Sequence, residues 1–248
     1  MDELGFRLTW HGHANIEVET PAGRVIRFDP WFGSPRATVA VDAVDRCDLM
    51  LVTHGHTDHL GGSVASGTPD SVAIAARTRP VWPAIHELAV WLQNVARTPA
   101  EVIGMNKGGT VEAHGLAVTM VRAEHSAGQW DQEEGHISLG EPAGFVVRLE
   151  DGQRIYHAGD TDVFGDMALI AELHRPEVAF LPIGGHYTMG PDGAAKAVEL
   201  LGVRTVVPIH YGTFPILAGT PAQLRAALDA RGLNAVRVLA PEPGVPVG

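Results

Sequence analysis

Four side chains of types that bind metals lie close together in the chain: His54, His56, Asp58 and His59. In an extended segment, residues two apart point to the same side, so His54 and His56 can hold one cation together. The turn that follows would direct Asp58 and His59 toward a second position a few ångströms away. Three imidazoles and a carboxylate this close are unfavourable unless they bind something cationic. The spacing therefore predicts a metal centre, and its specificity argues against the alternative of a solvated polar loop.

Three more candidate ligands stand where apolar segments end: His125, Asp160 and His210. Active sites of layered sheets collect at such strand ends. Any one of these residues alone is more often an ordinary loop residue than a ligand. Because they accompany the histidine cluster, we treat all of them as candidate metal ligands.

The segments that would position these side chains are mostly short strands. Apolar runs bounded by turn residues predict strands over Gly5–Trp10, Asn15–Thr20, Arg24–Asp29, Asp48–Thr53, Ser71–Ala75, Thr110–Ala113, Leu116–Ala123, Ala143–Leu149 and Arg154–Ala158. A helix that opens with a proline is predicted over Pro83–Ala96.

The last third of the chain alternates helices with strands. The predicted helices are Asp166–Leu173, Gly193–Leu201 and Pro221–Arg231, and the predicted strands are Glu177–Pro182, Arg204–Ile209 and Ala235–Leu239. This order suits an α/β protein in which two sheets pack face to face with helices outside. We expect a four-layer αββα sandwich that forms a single domain over residues 1–248. The alternative is a separate small parallel α/β unit in the last third.

The composition is that of a folded globular protein, with 45% hydrophobic and 19% charged residues. A formal net charge of −11 argues against a nucleic-acid partner, which needs a cationic surface. The apolar runs are too short to span a bilayer, and the acidic start lacks the features of a signal peptide. We therefore expect a cytoplasmic protein with no membrane partner. The single cysteine, Cys47, excludes a disulfide and a thiolate metal cage.

On these residues the chain resembles the metallo-β-lactamase superfamily. The H-x-H-x-D-H motif of the superfamily corresponds to residues 54–59, and its later histidine, aspartate and histidine ligands match His125, Asp160 and His210 in order. More closely, the chain is similar to a small group of metal-dependent hydrolases related to the ascorbate-phosphate lactonases. The shared stretches run to about Pro215: Trp10–His13, Phe28–Pro30, Tyr156–Thr161, Leu181–Gly184, Thr188–Pro191 and Pro208–Tyr211.

The resemblance implies two divalent metal ions and divides the ligands between them. The first ion would be held by His54, His56 and His125, and the second by Asp58, His59 and His210, with Asp160 bridging both. These nitrogen and oxygen ligands suit zinc or manganese, and also iron, nickel or cobalt. Two departures from the group, Gly62 in place of an aspartate and the loop Gly185–Tyr187, affect the expected fit of the substrate rather than of the metals.

The expected reaction is hydrolysis of an ester-type bond in a small molecule: a phosphodiester, a lactone or another acyl ester. A water held between metals about 3.5–4 Å apart loses a proton and becomes the nucleophile, and Asp58 would orient it. The alternatives are an iron-dependent oxidoreductase of the same fold and a noncatalytic metal-binding protein. Di-iron relatives usually show an acidic residue where this chain has His56, which disfavours the first. The oligomeric state stays open, a homo-oligomer included.

Five further histidines have expected roles outside the proposed ligand set. His186 is the candidate substrate contact or general acid, because the resemblance places its glycine-flanked loop at the pocket; an exposed loop histidine is the alternative. His11 and His13 follow the first strand and are expected either near the mouth of the site or in a structural role. His157 is expected to pack between the sheets or to support a ligand, and His136 to lie at the pocket rim.

Overall fold

The computed structural model describes residues 4–65 and 67–248, whose strands form two large sheets and a small hairpin. The strands are β1 (Arg7–Trp10), β2 (Ile16–Glu19), β3 (Val25–Phe28), β4 (Leu49–Leu51), β5 (Val81–Ile85), β6 (Glu101–Met105), β7 (Thr110–Ala113), β8 (Leu116–Arg122), β9 (Gln129–Asp131), β10 (Gly135–Ile137), β11 (Ala143–Arg148), β12 (Arg154–His157), β13 (Val178–Pro182), β14 (Thr205–Ile209) and β15 (Arg237–Val238). The helices are α1 (Thr57–Leu60), α2 (Asp70–Thr78), α3 (His86–Asn94), α4 (Met167–His174), α5 (Pro191–Leu201) and α6 (Pro221–Ala230), and Val41–Ala43 forms one 3-10 turn.

The first sheet contains β1 to β6 in sequence order. Its first three strands are antiparallel, and β3 to β6 are parallel. In β2, buried Ile16 and Val18 alternate with half-buried Glu17 and Glu19, as expected of a strand with one face on the core. All residues of β3 and β4 are buried, as the apolar sequence of β4 requires, and the one charged residue of β3, Arg27, pairs with Glu17. The chain that leaves β4 therefore enters the interior, and His54 with it.

The second sheet has the strand order β15-β14-β13-β12-β11-β8-β7. Strands β7, β8, β11 and β12 are antiparallel neighbours, and β12 to β15 are parallel. The strands of the last third thus extend the same sheet as the middle ones, so the alternative of a separate α/β unit is wrong. Because β8, β12 and β14 run in the same direction, the residues that follow them emerge at one edge of this sheet.

The two sheets pack face to face. The Phe28 ring of β3 stacks on the His157 ring of β12 at 4.8 Å and lies 6.2 Å from the Phe180 ring of β13. One continuous cluster of buried apolar residues includes side chains of both sheets. Helix α3 packs on β5 and β6, and α5 packs on β13. The predicted four-layer αββα arrangement is confirmed. His157 packs between the two sheets, which is the first of the two roles expected for it.

Two predicted elements are wrong. The segment Ser71–Ala75 belongs to helix α2, because its buried positions follow the spacing of a helix face rather than the alternation of a strand. The helix predicted over Pro83–Ala96 begins only at His86. Pro83 lies in β5, beyond the one residue pair that joins β5 to β4, so its missing N–H leaves no gap in a ladder there. Within residues 4–65 and 67–248, no helix is long and apolar enough to cross a membrane.

Candidate metal centre

The loop after β4 and the one-turn helix α1 carry the first group of candidate ligands. His54 is fully buried, and its Nε2 atom lies 2.9 Å from Nδ1 of His56, which precedes α1. Asp58 and His59 are consecutive residues of α1, so their side chains leave the helix in different directions. Gly61 ends α1 at a φ of 92°, and a Cβ there would lie 2.6 Å from Cβ of Asp70. A glycine at this position therefore lets α2 approach and keeps α1 in place.

The second sheet supplies the remaining candidates from the ends of β8, β12 and β14. Asp160 is 3% exposed and lies between them. Its Oδ2 atom is 3.3 Å from Nε2 of His59, 3.5 Å from Nε2 of His125 and 3.1 Å from Nε2 of His210. One carboxylate oxygen thus faces imidazoles contributed by both sheets.

The ligand atoms form overlapping groups whose members all lie within 4.8 Å of one another. The groups are His54, His56 and His125; His13, Asp58, His59 and His210; and His54, His59 and Asp160. Every ligand predicted from the sequence is therefore brought to one place. The first two groups follow the division that the resemblance implies, and Asp160 lies between them.

His13 is the member of the cluster that sequence reasoning did not place there. It is 1% exposed, its Nε2 atom lies 2.9 Å from Oδ2 of Asp58, and its ring centroid is 3.9 Å from that of His210. The expectation was a position near the mouth of the site or a structural role. The only signal in the sequence was the stretch Trp10–His13, whose motif carries no spacing that points to Asp58.

The residues present fit a bound cation. Several buried ligand atoms have no hydrogen-bond partner, among them Nε2 of His59, Nε2 of His210 and Oδ1 of Asp160. Buried polar atoms of native proteins are ordinarily paired. Nε2 of His54 and Nδ1 of His56 face each other at 2.9 Å, where only one of them can hold the shared proton. Cations bound by the two ligand groups would satisfy these atoms.

Electrostatics in the cluster favour positive charge beside the carboxylates. Burial opposes protonation of His210, but Asp160 and Asp58 raise its pKa to about 9, and Asp160 and Asp29 likewise raise the pKa of His59 well above its ordinary value. Burial alone would raise the pKa of Asp160, yet His210 and His59 hold it well below its usual range. Burial lowers the pKa of His13 to about 4, so its ring is neutral, the form that binds metals.

Asp29 fixes the orientation of His59. Its Oδ2 atom accepts hydrogen bonds from Nδ1 of His59 and Oγ1 of Thr53, both at 2.8 Å, and Oδ1 accepts from the Thr53 backbone N–H at 2.8 Å. With Nδ1 protonated toward Asp29, the lone pair of His59 Nε2 points at the cluster. Such a carboxylate behind a histidine is the usual partner of a metal-ligating imidazole.

Replacing Asp29 by asparagine is expected to weaken metal binding about 10–100-fold, because outer partners of metal ligands have effects of this size. Asparagine tolerates the left-handed backbone of this residue, whose φ is 44°, so the fold should persist. Competition against a chromophoric chelator measures the affinity. The control is Asp45→Asn, which changes an exposed carboxylate that belongs to none of the ligand groups. Equal affinities in both variants would contradict the role of Asp29.

The other histidines considered above, His186, His11 and His136, belong to none of the three ligand groups. His186 is exposed at a φ of 61°, with its ring 4.5 Å from that of Tyr187, and its catalytic role stays a prediction. His11 is buried with Nε2 3.4 Å from a carboxylate oxygen of Glu17, on the first sheet. His136 of β10 lines an open cleft of about 530 Å³ that His125 also lines.

Comparisons with known proteins agree with this geometry. A family model described as a β-lactamase superfamily domain matches residues 24–211. A UPF0173 metal-dependent hydrolase of Archaeoglobus fulgidus is 46% identical over 239 residues, covering 96% of this chain and 96% of that protein. One from Koribacter versatilis is 44% identical over 230 residues, covering 92% of this chain and 94% of that protein. The solved structure of Igni18, a metallo hydrolase from Ignicoccus hospitalis, has a TM-score of 0.82 at 35% identity and covers 98% of this chain and 97% of its own.

Proposed function

Because the chain belongs to the β-lactamase superfamily and is a metal-dependent hydrolase, we propose that it cleaves an ester-type bond in a small molecule. The bond would be a phosphodiester, a lactone or another acyl ester, and the cofactors two divalent ions, zinc or manganese. One observation carries the proposal: a carboxylate oxygen of Asp160 lies 3.1–3.5 Å from histidine nitrogens of two adjoining ligand groups. Two ions sharing one carboxylate are the arrangement that such hydrolysis uses.

The ligands would divide as the two groups in the structure do. His54, His56 and His125 would hold one ion, Asp58, His59 and His210 the other, and Asp160 would contact both. Bound ions of this kind generate a nucleophile from water and polarise the bond to be cleaved. The protein side chains would hold these ions and orient the attacking water and the substrate.

Asp58 and Asp160 keep negative charge at the centre of the site. Burial would raise the pKa of Asp58, but the charge of His59 and hydrogen bonds from His13 and His210 hold it well below its usual range. The Asp58 carboxyl is 29% exposed, unlike that of Asp160, so it lies on the side from which substrate and water arrive. This position supports a role for Asp58 in orienting the attacking water.

The surroundings of His125 support a small substrate rather than a nucleic acid. The cleft of about 530 Å³ beside His125 is of the size that takes small molecules. Its neighbour, lined by Lys107 and Arg122, is not cationic, because Lys107 pairs with Glu141 and Arg122 pairs with Glu124. A net charge of −11 points the same way. His186, in the loop after β13, is the proposed substrate contact.

The test combines metal analysis with an activity screen. Purified protein should turn over at least one of three probes (bis-p-nitrophenyl phosphate, a simple lactone, p-nitrophenyl acetate), lose turnover after treatment with a chelator, and regain it with manganese or zinc. Full activity after complete metal removal would sink the proposal. Oxygen consumption by iron-loaded protein would favour the oxidoreductase alternative, and two bound ions with no turnover on any probe would favour a noncatalytic metal-binding protein.

A further inference from the structure

We propose that His13 is a direct ligand, through Nε2, of the ion held by Asp58, His59 and His210. The inference rests on the proposed function only in requiring that this second ion is bound. His13 lies 45 residues before Asp58 in the sequence, and their ligand atoms are brought to 2.9 Å by the packing of the N-terminal loop on α1. The imidazole of His13 is as deeply buried as those of His59 and His210.

Distances between ligand atoms match an ion at the centre of this group. Nitrogen and oxygen ligands lie about 2.0–2.2 Å from zinc, so two ligands at right angles on one such ion lie about 3 Å apart. Nε2 of His13 is 2.9 Å from Oδ2 of Asp58, and Nε2 of His210 is 3.1 Å from Oδ2 of Asp160. Nε2 of His210 is 3.8 Å from Oδ2 of Asp58, a wider angle on the same ion. These separations of His13, Asp58 and His210 fit one coordination sphere.

The far side of the His13 ring is held as it is in metal-ligating histidines. Nδ1 lies 2.9 Å from Oγ1 of Thr213, and both side chains are buried. Metal-bound histidines almost always donate their other ring N–H to a fixed acceptor, which leaves the ligating nitrogen unprotonated. The Thr213 hydroxyl supplies that acceptor. Trp31 contacts the ring edge at a centroid distance of 5.1 Å and limits its rotation.

The backbone conformation of His13 directs its imidazole toward the ligand group. Its φ is 53°, a left-handed conformation that is strained for a residue other than glycine. The carbonyl oxygen of His13 accepts hydrogen bonds from the His210 backbone N–H at 3.0 Å and from Nε1 of Trp10 at 2.9 Å. His210 has the same left-handed φ of 53°. Two strained residues joined by a backbone hydrogen bond thus present their imidazoles to the same point.

The competing role for His13 is to position Asp58 by donating a hydrogen bond from Nε2. The two roles require different tautomers: a ligand keeps its proton on Nδ1, toward Thr213, whereas a donor to Asp58 keeps it on Nε2. They also differ in the site they build. With His13 as a ligand, the second ion has five protein ligands against four for the first, and it favours six-coordinate ions such as manganese.

One experiment uses the unaltered protein. In the dicobalt form, nuclear magnetic resonance should show a strongly shifted imidazole N–H that exchanges slowly and lies close to the Thr213 methyl group. Such a proton on Nδ1 is expected only if Nε2 binds the ion. A dicobalt protein in which no shifted N–H lies beside Thr213 would overturn the inference, and this measurement needs no variant to fold.

A second experiment removes the ring while keeping the backbone. His13→Gly accommodates the left-handed φ without strain and leaves a space that free imidazole can enter. We expect the second cobalt ion to bind more than about 100-fold more weakly, beyond the 10–100-fold of outer partners. We also expect a changed visible absorption and recovery of both properties with added imidazole. The control is His11→Gln, which alters a buried histidine two residues away that contacts Glu17 instead.

The outcomes separate this inference from the proposed function. If the unaltered protein binds two ions and His13→Gly does so with an affinity within about 10-fold and the same absorption, His13 only positions Asp58 and the inference is wrong. If the unaltered protein binds fewer than two ions, the proposed two-ion function is wrong and this inference with it.

Discussion

Replacing Asp160 by asparagine is expected to reduce hydrolysis by more than about 100-fold, since even outer partners of metal ligands account for 10–100-fold. Asparagine has the same shape as aspartate but no charge. Oδ2 of Asp160 lies within 3.5 Å of nitrogens of His59, His125 and His210, so the substitution removes the one group shared by both sets of ligands. We therefore also expect fewer than two ions per chain after purification.

The measurement pairs turnover of the best probe with metal content by mass spectrometry. Asp162→Asn is the matched control, because Asp162 is an exposed carboxylate two residues further along the same loop and should leave both quantities unchanged. An Asp160→Asn protein that keeps two ions and turns over at the unaltered rate would show that the carboxylate does not join the two groups.

Substituting alanine for Gly184 is expected to disrupt the second metal group through the backbone of His210. A Cβ on Gly184 would lie 2.1 Å from the carbonyl oxygen of His210 and 3.1 Å from Cβ of Leu217. The first contact is with backbone, which cannot swing aside as a flexible side chain would. Overpacking of this kind commonly costs about 1–3 kcal/mol and sometimes more.

The backbone of His210 is the element that must move. Its N–H donates to the carbonyl of His13, and the preceding residue, Ile209, accepts a hydrogen bond from the N–H of Ile183. A shift of His210 therefore changes both its own ligand atom and the position of His13. We expect a lower midpoint of thermal unfolding and weaker binding of the second ion, with the first site, formed by His54, His56 and His125, less affected.

Thermal unfolding and metal competition on Gly184→Ala test this expectation. Gly165→Ala is the control, because a Cβ on Gly165 meets nothing within 4 Å and its φ is not left-handed. If Gly184→Ala and Gly165→Ala unfold at the same temperature and bind metal equally, the close approach of Gly184 to the His210 backbone has no energetic importance.

The sequence predicted the members of the candidate metal centre whose evidence is local. His54, His56, Asp58 and His59 are recognised by their spacing, and His125, Asp160 and His210 by their places after apolar strands. The structure confirms that they converge. The overall layers were predictable for the same reason, since buried strands and helix faces have different periods.

What the sequence could not predict depends on packing between distant segments. His13 meets Asp58 and Thr213, 45 and 200 residues away, and a left-handed backbone directs its ring toward them. No local pattern encodes such a contact. Part of α2 was mistaken for a strand because Val72–Ala75 is a short apolar run, and periodicity does not separate a strand from a buried helix segment of that length. The start of α3 was misplaced because Pro83 lies in a strand position that needs no donor.

The division of the candidate ligands between the two sheets has a consequence for the synthesis and degradation of the protein. Residues at the ends of the first sheet supply His54, His56, Asp58 and His59, whereas His125, Asp160 and His210 come from the second. During synthesis the second ligand group cannot close until β14 has left the ribosome and docked, so we expect a nascent or truncated chain to bind metal weakly. A ligand that binds only the folded protein stabilises the folded state more as its free concentration rises. Metal starvation would therefore lower the free energy of unfolding where the two sheets meet and make that region easier for proteases to cleave. The abundance of the protein would then follow the availability of its metal.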